Sequence, residues 1–356
     1  MNFLNKKYSN FKERLNFISL GSFPTSVQHI DGMEKEFGRA GLFIKRDDLS
    51  GEIYGGNKVR KLEYIFGKVI AKGYKIVLTS GAAGSNHVLA VSAYSSLLGL
   101  KPVLMLFAQP FNPSIHKNLL ADYHFGATIY YDESWEAHNR SIQRMVEYYK
   151  NQDVPVYVIA PGGSSPQGTI GYVNAAYELK WQIDTNQIPD PAAIYLPFGT
   201  CGTAAGLILG MKAAGVKSKL KAVSVVPPGI ANMEKLGILF ESANRILHDS
   251  DKAFPVCCLK EADIEIVESY VGSGYGITTS ESSFASRLFW RTDKIRLDTV
   301  YTGKAFAAFV DEIKTGFSNN LLFWNTKNSR PLPAEAFEQD YHQLPPQLYK
   351  YFEQVK

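Results

Sequence analysis

From residue 41 to residue 226 the chain alternates short apolar runs with stretches whose apolar residues recur at helical spacing, and few folds satisfy that alternation. The runs at 41–46, 75–80, 103–107, 128–131, 156–159, 193–198 and 221–226 read as buried strands. Between them, 58–72, 88–98, 114–123, 135–150, 169–184 and 207–214 read as helices; Val59, Leu62, Ile65, Phe66, Val69 and Ile70 form the apolar face of the first. Such repeats predict an α/β architecture, a mostly parallel sheet covered by helices on both faces with right-handed crossovers. Beyond 226 the pattern weakens. Residues 304–312 read as a helix and Leu321-Leu322-Phe323-Trp324 as a last buried strand, while Gly272-Ser273-Gly274-Tyr275-Gly276 reads as a mobile or substrate-facing loop. A length of 356 residues predicts two domains or one large α/β unit, either of which encloses a cleft.

Chemistry concentrates where strands run into helices. The segment Gly199-Thr200-Cys201-Gly202-Thr203-Ala204-Ala205-Gly206 is rich in small residues that let a ligand approach, and free amides at a helix start attract phosphate. It lacks both the Gly-Lys-Ser/Thr ending of a P-loop and the Gly-x-Gly-x-x-Gly spacing of a dinucleotide site, so it reads as another phosphate cradle or as a tight turn required by packing. Gly81 to His87 forms a second such turn, in which Ser85, Asn86 and His87 either bind a carboxylate or cap and brace the helix. His87 would stack on a cofactor or make a supporting bond. Lys58, in Gly55-Gly56-Asn57-Lys58, is a solvated helix residue in isolation; facing a phosphate cradle, it becomes a candidate for holding an aldehyde cofactor as a Schiff base.

Other classes are disfavoured. The net charge of +4 comes from 38 basic residues dispersed along the chain, which argues against nucleic acid as a partner. Scattered histidines without His-x-x-x-His spacing argue against a metal. Three cysteines, Cys201, Cys257 and Cys258, suit neither a disulfide framework nor a zinc site and favour a reducing compartment. No segment reaches the roughly 20 apolar residues that span lipid, and no signal-peptide pattern follows Lys6 and Lys7, so the expectation is a cytoplasmic protein without a membrane partner.

Taken together, Arg46-Asp47-Asp48, Gly55 to Glu63, Ser85-Asn86-His87, Gly162-Gly163-Ser164, Gly199 to Thr203 and Val300-Tyr301-Thr302-Gly303-Lys304-Ala305 resemble the pyridoxal-phosphate enzymes of the tryptophan synthase beta-chain superfamily. The resemblance spans roughly residues 20 to 330 and is closest to the branch of D-cysteine desulfhydrase and 1-aminocyclopropane-1-carboxylate deaminase. It implies a two-domain fold type II enzyme, each domain an open, mostly parallel sheet flanked by helices. The large domain would take residues 1–59 plus 169–356 and the small domain 60–168, with pyridoxal 5'-phosphate in the cleft between them. It implies that Lys58 is the Schiff-base lysine, that Asn86 bonds the cofactor's 3-hydroxyl, and that Gly199, Thr200, Cys201, Gly202 and Thr203 bind its phosphate. Thr326 would contact the pyridine nitrogen; Tyr301 and Tyr275 would face the substrate. Ser85 and Tyr301 would assist proton transfer by Lys58, and Ser85, Asn86 and His87 would hold the substrate carboxylate.

The same resemblance implies a homodimer acting on a small amino acid. Thr302 stands where ring-opening deaminases carry glutamate, which favours elimination from D-cysteine to pyruvate, ammonia and sulfide over deamination of 1-aminocyclopropane-1-carboxylate to 2-oxobutanoate and ammonia. Three departures bear on that expectation: Gly84 in place of glutamine, Cys201 in place of a glycine, and Asn325-Thr326-Lys327-Asn328 in place of a loop with two glycines. The first and last also motivate a non-catalytic, cofactor-binding ligand sensor as an alternative.

Overall fold

The computed structural model describes residues 1–316 and 319–353; residues 317, 318 and 354–356, which belong to the expected large-domain range, lie outside the described residues. The N-terminal stretch, which shows no such alternation in the sequence, holds α1 (Phe3–Lys7), α2 (Phe11–Arg14), β1 (Val27–His29) and α3 (Asp31–Phe37). Then follow β2 (Leu42–Lys45), α4 (Asn57–Ala71), β3 (Ile76–Ala82), α5 (Asn86–Leu97), β4 (Lys101–Phe107) and α6 (Ser114–His124). The alternation continues through β5 (Thr128–Asp132), α7 (Trp135–Asn151), β6 (Val156–Ile159), α8 (Pro166–Asp184), β7 (Ala193–Phe198), α9 (Gly202–Ala214) and β8 (Lys219–Ser224). The last third adds α10 (Met233–Ser250), β9 (Ile264–Val267), α11 (Ser280–Asp293), α12 (Thr302–Lys314), β10 (Leu321–Trp324) and α13 (Lys350–Glu353).

These strands form two sheets. One has the order β1-β2-β10-β7-β8-β9, parallel except for β1, which runs antiparallel to β2; the other is all parallel, in the order β5-β4-β3-β6. The α/β architecture of open parallel sheets flanked by helices is thus present. β10, the last strand among the described residues, is a central one, pairing Leu321 with Leu42 on one side and with Ala193 on the other. All four of its residues are buried, as a strand covered on both faces requires. Within residues 169–356, Leu344, Leu348 and Tyr351 pack with Leu104, Leu106 and Ile115 of the four-stranded unit.

Several boundaries shift by one to three residues from the sequence expectation and one by five. The strand expected at 221–226 lies at 219–224, and the glycine-rich segment expected as a turn through 206 is already helical from Gly202. The small residues there serve helix packing: a Cβ on Gly206 would lie 2.3 Å from the Thr169 carbonyl oxygen of α8. Side-chain caps mark the starts of α5 and α8, with the Ser85 hydroxyl accepting from Val88 N and the Ser165 hydroxyl from Gly168 N.

The two units are tied by a buried ion cluster. Lys45 Nζ on β2 donates to Glu178 Oε1 at 2.5 Å, and Arg60 on α4 bonds both Asp47 (2.6 and 2.8 Å) and Glu178 (2.9 and 3.0 Å). Burial works to raise the Glu178 carboxyl, but Arg60 and Lys45 outweigh it and hold the group down at about 2. Removing one partner leaves uncompensated buried charge. Glu178→Ala is therefore expected to destabilise the fold by about 3–5 kcal/mol, read from the shift in urea unfolding midpoint.

A second buried carboxyl behaves oppositely. Asp122 on α6 is pushed up to about 8 by burial, with the hydrogen bond from Ser92 (2.7 Å) opposing. Its folded pKa exceeds the unfolded one, so its contribution is complete below the unfolded value near 3.8 and is lost as pH rises through about 8. Asp122→Asn is expected to flatten that decline between pH 4 and 8, seen as a smaller difference in unfolding free energy between the two pH values.

Candidate active site

A cleft of about 670 Å³ opens between the two units, lined from one side by the ends of β3 and β4 and the start of α5, and from the other by the end of β7 and the start of α9. Lys58, Ser85, Asn86, His87, Tyr275, Tyr301 and Thr326 all line it, as do Gly199, Thr200, Cys201 and Thr203. Gly202 does not: its amide faces the Thr200 carbonyl (2.8 Å) and the Ser164 hydroxyl (3.3 Å). No acidic side chain is among the lining residues described. The donor set therefore suits an anion.

Lys58 stands in the first turn of α4, half-buried, and burial holds its ammonium down at about 8. Its position depends on Gly56, whose φ of +92° and close approach to the Thr326 carbonyl (2.8 Å from a Cβ placed there) exclude other residues. Asn57 N then donates to that carbonyl at 2.8 Å, and Gly55 N donates to Asn328 Oδ1 at 2.7 Å. The segment in which two glycines are replaced thus fastens the approach to Lys58 through the Asn328 side chain.

At the cradle, Thr200 Oγ1 lies 2.7 Å from Ser164 Oγ, and Asn57 Nδ2 donates to Thr203 Oγ1 at 3.2 Å. Lys61 was not singled out in the sequence, although its i+3 spacing from Lys58 puts both on one helix face. It is buried, donates to the Gly162 carbonyl (3.0 Å) and Ser164 Oγ (3.1 Å), and is pushed well below the usual lysine range by burial and then by Lys58. Amides at a helix start, two threonine hydroxyls and a buried lysine deprived of a counter-ion fit a phosphate group. Cys201 holds its place in this turn at φ +64°, a left-handed conformation that an L side chain adopts at a cost of about 1–3 kcal/mol.

At the opposite end of the cleft, Ser85 caps α5 and faces the ligand space, so the capping and binding readings describe one residue in one place. Asn86 Oδ1 accepts from Tyr54 Oη (3.3 Å) and Asn118 Nδ2 (3.4 Å), which leaves its NH2 as the uncommitted donor. His87 is buried and makes the supporting bond, with Nε2 3.0 Å from Thr79 Oγ1. Burial, then Lys58 and Lys61, push its pKa far down, so the imidazole is neutral. The Tyr275 and Tyr301 hydroxyls bond each other, and burial raises both phenols. Asp298 holds this region by accepting from Tyr301 N (2.6 Å) and Thr302 Oγ1 (2.5 Å), while Lys304 Nζ anchors the Tyr275 loop through the Val271 carbonyl (2.6 Å).

Tyr54, Lys61 and Lys235 enter the site without having been read from the sequence. Lys235 lies on α10, a helix whose signal was not recognised; Tyr54 offers no local signal at all. Away from the cleft, His29, Asp31 and Glu34 bring their ligand atoms within 4.8 Å of one another, but Glu34 Oε1 is committed to the amides of Gly41 and Leu42. Among the described residues no helix is long and apolar enough to cross a membrane.

Residues 18–321 match the model of a family described as pyridoxal-phosphate dependent enzyme. A Pyrococcus horikoshii protein provisionally named 1-aminocyclopropane-1-carboxylate deaminase is 33% identical over 313 residues, covering 87% of this chain and 90% of its own. A Thermotoga maritima protein with the same provisional name is 32% identical over 329 residues, covering 87% and 95%. Among solved structures, one described as an ACC deaminase homologue superposes with a TM-score of 0.76 at 31% identity, covering 89% of this chain and 94% of its own. The strained turn offers a direct test of the cradle. Cys201→Val, which adds a β-branch at positive φ, is expected to weaken pyridoxal phosphate binding at least about 10-fold, whereas Cys201→Gly retains it, both measured by absorbance titration of the cofactor-free protein.

Proposed function

Because the chain belongs to the pyridoxal-phosphate dependent enzymes, we propose that it deaminates a small amino acid, with Lys58 as its covalent and proton-moving residue. The observation that carries this reading is the depressed lysine: an amine held down at about 8 by burial, standing between an anion cradle and a helix start. When bound, pyridoxal phosphate supplies an aldehyde for an amine and a conjugated ring that takes up the electron pair released at the α-carbon.

The protein's own residues do the rest. Gly199, Thr200, Cys201 and Thr203, with Lys61 behind them, would hold the phosphate; Thr326 would offer a neutral hydroxyl to the ring nitrogen, and the Asn86 NH2 would serve the ring hydroxyl. Ser85 and the α5 amides take the substrate carboxylate, which the helix dipole favours. The free amine of Lys58 would remove the α-proton, and the Tyr275–Tyr301 hydroxyl pair would share protons in the same cleft. His87 orients the turn as a neutral donor to Thr79. In this reading the cofactor lies between a large domain of residues 1–59 plus 169–356 and a small domain of 60–168. The assembly is a homodimer, and three unpaired cysteines suit the cytoplasm.

The names of the relatives favour 1-aminocyclopropane-1-carboxylate as substrate over D-cysteine. D-cysteine is retained on one observation: Thr302 is buried and bonded to Asp298, so the position after Tyr301 presents no carboxylate to the cleft. Pyruvate release from D-cysteine and 2-oxobutanoate release from the cyclopropane amino acid separate the two. Lys58→Ala is expected to abolish the absorbance of lysine-bound cofactor and to lower turnover of either substrate at least about 10³-fold. Unchanged spectrum and rate would remove Lys58 from the mechanism, and an intact wild-type spectrum without product from either amino acid would favour a ligand sensor.

A further inference from the structure

One wall of the cleft is used by none of these steps. Ser80 at the end of β3, Phe107 at the end of β4 and Trp135 at the start of α7 line it. Ser80 Oγ lies 2.8 Å from Nε2 of His138, which is fully buried one turn beyond Trp135. The other ring nitrogen, Nδ1, makes no hydrogen bond, and the charge nearest to it is the Asp132 carboxylate, with Oδ2 3.7 Å away.

The neighbours fix the direction of this chain. Burial foremost lowers the His138 pKa, with Asp132 opposing, so the ring is neutral and carries one proton. The Asp132 carboxylate favours the proton on the nitrogen that faces it, Nδ1, over a lone pair there, which makes Nε2 an acceptor and the Ser80 hydroxyl its donor. With its proton committed to His138, Ser80 offers the cleft only lone pairs. The Phe107 and Trp135 rings meet edge to face (5.4 Å, 89°) and both pack on His138 (5.1 and 5.6 Å), so the acceptor sits in apolar surroundings. An acceptor so placed discriminates strongly, because a ligand that brings no donor leaves it unpaired.

We propose that Ser80, oriented by His138 and Asp132, receives the end of the substrate's side chain and selects small amino acids ending in a hydrogen-bond donor, a thiol or a hydroxyl. The assignment rests on the deaminase reading and narrows it. A cyclopropane ring carries no such donor.

The test compares kcat/KM for matched pairs, D-cysteine with S-methyl-D-cysteine and D-serine with O-methyl-D-serine, together with 1-aminocyclopropane-1-carboxylate, in wild-type and Ser80→Ala holoenzyme. Wild type is expected to prefer the donor-bearing member about 100-fold, and Ser80→Ala to collapse that preference to a few-fold through a rise in KM for the donor substrate. In the cofactor-free protein, the His138 Nε2 resonance in 15N NMR is expected to move on Ser80→Ala as its hydrogen bond is lost. Turnover without a donor preference, a preference that survives Ser80→Ala, or an unmoved resonance would overturn the subsite while leaving the deaminase reading intact. No turnover of any member would overturn both.

Discussion

The buried cluster of Lys45, Asp47, Arg60 and Glu178 fixes the geometry on which the cleft depends. Two cations and two anions are removed from water together, so their charges cancel locally, and Thr25, Tyr172 and Gln182 satisfy hydrogen-bonding capacity that the ions leave over. Desolvation makes such a cluster a poor source of net stability compared with apolar packing, yet any single removal is costly. What it provides is registration: β2, the turn at Asp47–Leu49, α4 and α8 can meet in one arrangement only.

That registration reaches the cleft through the pitch of one helix. Arg60 follows Lys58 by two residues, about 200° around α4, so the guanidinium points into the ion cluster while Lys58 faces the opposite way. Lys61, three residues from Lys58, returns to the cleft side. The same turn of helix is anchored by one face and reactive on the other. The close approach at Gly56 and the Asn328 side chain stop the helix from sliding along its axis.

Much of this was legible because it is local. Strand and helix periodicity between residues 41 and 226 locates each element within a few residues, and the turns that end β3 and β7 announce ligand contacts by their small and hydroxyl-bearing residues. Strand order was not legible: β10 reads as buried, but nothing in its four residues says that it lies between β2 and β7. The start of α9 was misread because glycines that serve helix contact look like glycines that serve a turn. Ser80 and His138, 58 positions apart, meet through the packing of α7 on β4, and a lone serine and a lone histidine carry no trace of that. Lys61 lay within a motif but gained meaning only from its burial beside Ser164.

The charge pattern of the cleft shows why these pieces belong together. Lys58, Lys235 and Lys327 line it, Lys61 lies behind it, and no carboxylate on its surface answers them. Burial weakens the hold of Lys58 and Lys61 on their protons, with the charge of Lys58 adding to it at Lys61, which leaves Lys58 close to the range where an amine both attacks an aldehyde and accepts a proton at neutral pH. An internal acid would have neutralised that tension by pairing, raising the lysine pKa and blocking the cradle. A doubly charged phosphate relieves it at one end and a substrate carboxylate at the other, so ligand binding and lysine reactivity draw on the same unpaired positive charge.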